Sequence, residues 1–589
     1  MKLTTILITA LLIASLTLVA CGSHDDTPDP DAVALQQRMA SLIGENKVIE
    51  GDYDEQMAVD AANGVFVGQM EDSLMVFRGI PYAVQPTGTL RWTEPRPEPD
   101  SHLVREACYF GHSAIQRKTP FNSASHYRMG EDCLTLNVWT AAQGMRTARR
   151  PVMVWFHGGS YNSGGTVSPG SWGANFVKEH PEVLFVSVNY RLGILGFLDL
   201  SSLPDGQQYA RSGNLGILDQ VEALRWIRRN IAAFGGDPDN VTVFGQSAGG
   251  GSVSILMSID EAQGLFRRVI ALSGSLALTS SREDCQRLTK RVLDATGAKT
   301  VADLVALSDS ALLALNDKVG EFARFPMRDS LLIPADPYAR FDGFNAGIDL
   351  LTGTTADETR LWLDMMGGKT GFQAGVELWY RFIGMSLDDA QRESAARFLD
   401  VAQGKRVWRV AEFMNDLIFR GPAIEQAQRH AASGGKTYMY YWTKAGSDPL
   451  TGAYHSCEMP YVLNNSDDST INADLGREVR QMWANFAATG NPSTPAHYWP
   501  AYDAASRHTM VLGDTVKVVD DPLPEQRRLI EPLLRNYISP VFSDLMVMMP
   551  WIGGIAVGAL IAALLFIIWL AVKLRRLFRR SRSRKTQSH

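Results

Sequence analysis

VTVFGQSAGG, Val241 to Gly250, runs from an apolar strand-like stretch into a glycine-rich turn and then into a helix-compatible segment. A serine in Gly-x-Ser-x-Gly, here Gly245 to Gly249, sits on a turn so tight that flanking side chains would clash, and glycine removes them. Such a turn projects the Ser247 hydroxyl beyond the strand end and aims the next helix N-terminus at any negative charge forming there. The five residues are common types and weak evidence alone. The strand before them and the helix after them strengthen the reading.

The same alternation extends outward on both sides. PVMVWFHGG (Pro151 to Gly159) and VLFVSVNY (Val183 to Tyr190) are continuous apolar runs, and LDQVEALRWIRRNIAAF (Leu218 to Phe234) carries a helical pattern. After the serine turn come RVIALSGS (Arg268 to Ser275), GIDLLTGTTADET (Gly347 to Thr359) and TYMYYWT (Thr437 to Thr443), each a strand candidate. Val65 to Ala83 adds two β-like runs about a polar turn. Uninterrupted apolar strands separated by helices predict an α/β fold, a mostly parallel central sheet flanked by helices. In such sheets chemistry gathers at the strand C-terminal ends.

Two further groups are needed there. HGGS, His157 to Ser160, ends a strand in glycines, which let backbone N–H groups approach an oxyanion closely. Each donor is worth ~3–4 kcal/mol of transition-state stabilisation. His157 itself reads as a structural hydrogen-bonder. The chain order nucleophile, acid, base places the base among His430, His455, His497 and His508, and His455, in the loop after TYMYYWT, is best placed. The acid falls in LLTGTTADET, where Asp357 and Glu358 stand together and local sequence does not choose between them.

Together these segments resemble the type-B carboxylesterase family, which includes the cholinesterases. The likeness runs from about residue 57 to 535 and includes FRGIPYA (Phe77 to Ala83), EDCLTLNVWT (Glu131 to Thr140), WFHGGSYNSG (Trp155 to Gly164), NYRLGILGFL (Asn189 to Leu198), GAYHSCEMPY (Gly452 to Tyr461) and WANFAATGNP (Trp483 to Pro492). It implies an α/β-hydrolase fold and a serine ester hydrolase working through an acyl-enzyme. The implied catalytic residues are Ser247 as nucleophile, Glu358 as acid and His455 as base, with Gly159, Ser160 and Ala248 as oxyanion donors. It also implies a disulfide between Cys108 and Cys133, and neither metal nor cofactor. Departures stand out: Ser160 for a third glycine, Thr359 for the glycine after the acid, and Gln246 for the glutamate common before the nucleophile. The loop between Cys108 and Cys133 lacks the tryptophan on which choline-binding relatives stack their ligand. A non-catalytic adhesion protein of neuroligin-like architecture is the rival reading, disfavoured because all three triad positions are filled. A lipase acting on membrane lipids is a third.

The termini predict a membrane tether. Met1-Lys2 followed by the apolar run Leu3 to Ala20 reads as an export signal (residues 1–20), and LVAC, Leu18 to Cys21, resembles a bacterial lipobox that would leave lipid on Cys21. Residues 21–56 read as a polar tether. Trp551 to Val572 is uncharged and long enough for a transmembrane helix, and residues 573–589 follow with eight lysines and arginines, a cytoplasmic tail under the positive-inside rule. The catalytic domain, 57–535, is thus expected on the periplasmic or extracytoplasmic side. Removing the tail's eight charges from the formal total of −6 leaves −14, an acidic body that argues against nucleic acid as partner, while the resemblance implies a small-molecule ester as substrate. Of the five cysteines, Cys285 lacks an evident partner and Cys457 reads as a free thiol; no CxxC pair suggests a metal site.

Overall fold

The apolar runs form the centre of an eleven-stranded sheet. In chain order its strands are β1 (Gln69–Glu71), β2 (Leu74–Pro81), β3 (Thr135–Ala141), β4 (Arg150–Phe156), β5 (Leu184–Val188), β6 (Gly236–Gln246), β7 (Arg268–Leu272), β8 (Asp349–Thr355), β9 (Thr437–Trp442), β10 (His508–Leu512) and β11 (Lys517–Asp520). Across the sheet the order is β11-β10-β9-β8-β7-β6-β4-β5-β3-β2-β1. Pairing is parallel from β5 through β10 and antiparallel at both margins. Every residue of β5 and β7 is buried, as a sheet covered on both faces requires. The computed structural model describes residues 39–117, 124, 127–319, 325–341, 343–365, 368–466 and 470–534.

Helices cover the sheet. The segment read as helical from Leu218 forms α1 (Leu215–Asn230), which buries nearly its whole length, and α2 (Ala248–Leu256) follows the serine turn directly. Farther along lie α3 (Gly368–Ser386), α4 (Asp389–Val401), α5 (Arg406–Asn415), α6 (Gly421–Ala432), α7 (Met459–Leu463) and α8 (Ala473–Thr489). Helices α3 to α5 enclose an apolar cluster of their own, including Phe372, Trp379, Phe398 and Phe413. The main core gathers around Val154, Val186, Val243 and Val269 of the central strands.

The chain divides into two units, residues 1–44 and 45–589. In the first, Met39–Ser41 make a helical turn, with the Leu42 N–H donating to the Met39 carbonyl at 3.0 Å. The second unit begins before residue 57, because the Asn46 amide donates to the Arg78 and Tyr109 carbonyls, both at 2.9 Å. The final part of the stretch read as a tether therefore belongs to the folded unit. The signal at 1–20, Cys21, the apolar span at 551–572 and the basic tail lie outside the described residues. No helix among the described residues is long and apolar enough to cross a membrane.

The disulfide implied by the resemblance is not formed. Cys108, Cys133, Cys285 and Cys457 all carry free thiols. Cys108 points its Sγ at the Val67 carbonyl, 3.7 Å away. Cys133 is buried, whereas Cys108 is only partly so.

Candidate active site

Strand β6 ends at Gln246, and Ser247 takes φ 58 and ψ −122, a left-handed conformation that L-residues adopt only under constraint. Its amide donates to the Leu272 carbonyl at 2.8 Å and its carbonyl accepts from the Gly251 N–H at 2.9 Å, so β7 and α2 pin the turn from both sides. The glycines have a steric reason. A Cβ at Gly249 would lie 2.0 Å from the Phe156 oxygen, and one at Gly245 would lie 2.4 Å from the Gly249 carbonyl carbon.

The glycine loop after β4 faces this turn. A Cβ at Gly158 would stand 3.2 Å from the Ser247 Cβ. Gly159 (φ 109), Ser160 (φ 54) and Tyr161 (φ 58) form three consecutive left-handed residues. The bend is closed by the Asn162 and Ser163 N–H groups, which donate to the Gly159 carbonyl at 2.9 and 3.0 Å. Ser160 thus adopts a conformation that suits glycine better. His157 supports the loop from below: its Nδ1 lies 2.8 Å from the Gly158 carbonyl and its ring stacks on Tyr190 with centroids 4.5 Å apart. Burial lowers its pKa to about 4, so it stays neutral.

Glu358, wholly buried, follows β8. Its Oε2 is 2.5 Å from the His455 Nδ1, and its Oε1 accepts from the Thr355 N–H at 2.8 Å. Asp357 turns away, accepting from the Ala453 N–H at 3.0 Å and pairing with Arg360 at 2.7 Å. The choice that sequence leaves open is thereby made by geometry: the carboxylate on the imidazole is Glu358. Thr359, in place of the glycine common in relatives, anchors to α5, its N–H 2.8 Å and its hydroxyl 2.7 Å from the Asn415 Oδ1.

His455 is buried in the loop between β9 and α7, its ring 4.9 Å from that of Phe419. Its Nε2 is directed at the serine turn, but the partner there is the Gln246 amide, at 3.1 Å, and not the Ser247 hydroxyl. The other late histidines are engaged elsewhere. His430 lies 2.7 Å from the Thr437 hydroxyl, with burial lowering its pKa to about 4. His497 pairs with Glu478 and His508 with Asp520.

Two features escape a reading of the sequence. Gln246 stands out there for the charge it lacks, not for a contact with the base. Glu458, buried three residues beyond His455, has both carboxyl oxygens without a hydrogen-bond partner among the described residues. Burial first, and the nearby Glu358 charge second, raise its pKa to about 8. Its only signal in the sequence is a glutamate at an otherwise apolar helix start. Among the described residues no cluster of histidine, cysteine and carboxylate side chains could hold a metal ion.

Comparison with known proteins converges on one group. The family described as the carboxylesterase family matches residues 55–528. The para-nitrobenzyl esterase of Bacillus subtilis is 34% identical over 498 residues, covering 80% of this chain and 97% of that protein. Liver carboxylesterase 1 of Oryctolagus cuniculus is 31% identical, covering 76% and 88%. Among solved structures, a carboxylesterase of Geobacillus stearothermophilus superposes with a TM-score of 0.72 at 33% identity, covering 80% of this chain and 99% of the other.

Proposed function

The chain belongs to the carboxylesterase family and is a carboxylic ester hydrolase of the serine type, and from that premise we propose that Ser247, His455 and Glu358 form its catalytic triad. One observation carries the assignment: the His455 Nδ1 lies on Glu358 at 2.5 Å while its Nε2 points to the turn that bears Ser247. In this reading the Ser247 Oγ attacks the ester carbonyl as His455 Nε2 takes its proton. The carbonyl π-pair becomes an oxyanion, received by the N–H groups of Gly159, Ser160 and Ala248. As the tetrahedral centre collapses, the alcohol leaves with the proton from Nε2, and the acyl group remains on Ser247. Water, deprotonated by the same nitrogen, then releases the acid and restores the serine. Glu358 keeps the Nδ1 proton in place throughout.

Ser247→Ala is expected to lower kcat by about 10⁴-fold or more and to abolish labelling by a fluorophosphonate probe. Unchanged hydrolysis by that variant would overturn the assignment. The substrate is a small carboxylic ester. Gln246 removes a negative charge beside the nucleophile, which supports a substrate without quaternary ammonium. No metal or cofactor enters the scheme.

We further propose that the catalytic domain, residues 57–535, works at the outer face of a membrane. The support is in the sequence: the lipobox-like LVAC before Gly22, the uncharged span Trp551 to Val572, and the basic tail beyond it. Accessibility of the domain to protease added to spheroplasts tests this placement.

A further inference from the structure

The base is already engaged in this structure, and its partner is not the nucleophile. The Nδ1 of His455 sits on a carboxylate, so that nitrogen carries the ring proton and Nε2 offers a lone pair. The group facing that lone pair at 3.1 Å is therefore the nitrogen end of the Gln246 amide, donating. The oxygen end lies toward the glycine loop, 3.2 Å from where a Gly158 Cβ would stand. The Gln246 side chain thus spans from the imidazole to the loop that faces Ser247, and it is buried at 6% exposure. A ring nitrogen has one in-plane lone pair and accepts one well-aligned hydrogen bond.

We propose that Gln246 is a positioning residue that caps the base in the resting enzyme, and that acylation requires its amide to be exchanged for the Ser247 hydroxyl on His455 Nε2. The proposal rests on the triad assignment above. The backbone of Ser247 is fixed by its bonds to Leu272 and Gly251, so the exchange falls to the side chains of Ser247 and Gln246. Gln246 withdraws by rotating its longer side chain. Glutamate, common at this position in relatives, has no N–H to offer a neutral imidazole. The cap is a consequence of the residue this chain carries.

The test compares wild type with Gln246→Met, which keeps length but has no amide, in the full chain. Acylation is followed as the burst of p-nitrophenol from p-nitrophenyl acetate and as the labelling rate with a fluorophosphonate. Freed of a competing hydrogen bond, the variant is expected to acylate about fivefold faster, with the dissociation constant of the non-covalent complex little changed. Gln246→Asn, whose shorter amide cannot reach the ring, is expected to follow it and carries the test should the methionine variant fail to fold. Acylation equal to or slower than wild type in a folded variant overturns the cap. Loss of the triad assignment would look different: fluorophosphonate labelling would persist in Ser247→Ala.

Discussion

Glu458 stands three residues after the imidazole and holds a proton that a solvated glutamate would lose. Its ordinary value of 4.5 is raised to about 8, chiefly by burial. The sign follows from which state holds the proton more tightly. Below pH 4.5 both folded and unfolded chains carry it and stability is unaffected. As pH climbs from there to about 8, the unfolded chain ionises freely while the folded one does not, and stability is lost. The neutral amide of a Glu458→Gln variant cannot ionise, so the thermal midpoint of that variant is expected to exceed wild type by roughly 3–8 °C at pH 8.5 and to match it within about 1 °C at pH 4. A gap that does not widen with pH, read by calorimetry, would contradict this. The residues proposed as the triad are largely legible in sequence: the order of the motifs singles out Ser247 and His455. Glu458 and the Gln246 contact are not legible, because both depend on which side chains meet inside a closed site.

At the scale of elements, the serine turn is the part most tightly specified. A Cβ added at Gly249 would come within 2.0 Å of the Phe156 oxygen, so Gly249→Ala must push β4 and α2 apart. The expected cost is about 2–3 kcal/mol of stability and nearly all esterase activity. Gly170→Ala, where nothing lies within 4 Å, serves as control and is expected to stay within about 0.5 kcal/mol of wild type. Denaturant melts of the two variants check both. The parallel strands can be read from sequence because burial on both faces makes them continuous apolar runs. The margins cannot: β11 has no buried residue and β1 is three residues long. The run after Val65 reads as two strands but forms three. Gly64–Val67 pairs in a small separate sheet, while Gln69–Glu71 and Leu74–Pro81 join the large one. The division falls at Gly68, where a Cβ would lie 2.6 Å from the Val76 oxygen.

For the whole molecule, the proposed placement of the acidic body outside a membrane and the basic tail inside it is a matter that protease treatment tests. Protease added to spheroplasts is expected to abolish their esterase activity while an epitope placed after His589 survives; loss of the epitope with retained activity would reverse the topology. The cysteine pattern is the weakest guide at this scale. A pairing carried over from relatives places Cys108 against Cys133, yet both thiols are free, and the Cys108 sulfur faces the Val67 carbonyl. The three positions of the proposed triad hang from the ends of β6, β8 and the loop after β9, spread from Ser247 to His455. A ribosome has therefore to deliver the greater part of the polypeptide, through the loop that closes on Glu358, before any hydrolysis can begin. The order in which its parts arrive is enough to keep the nascent chain chemically silent during synthesis.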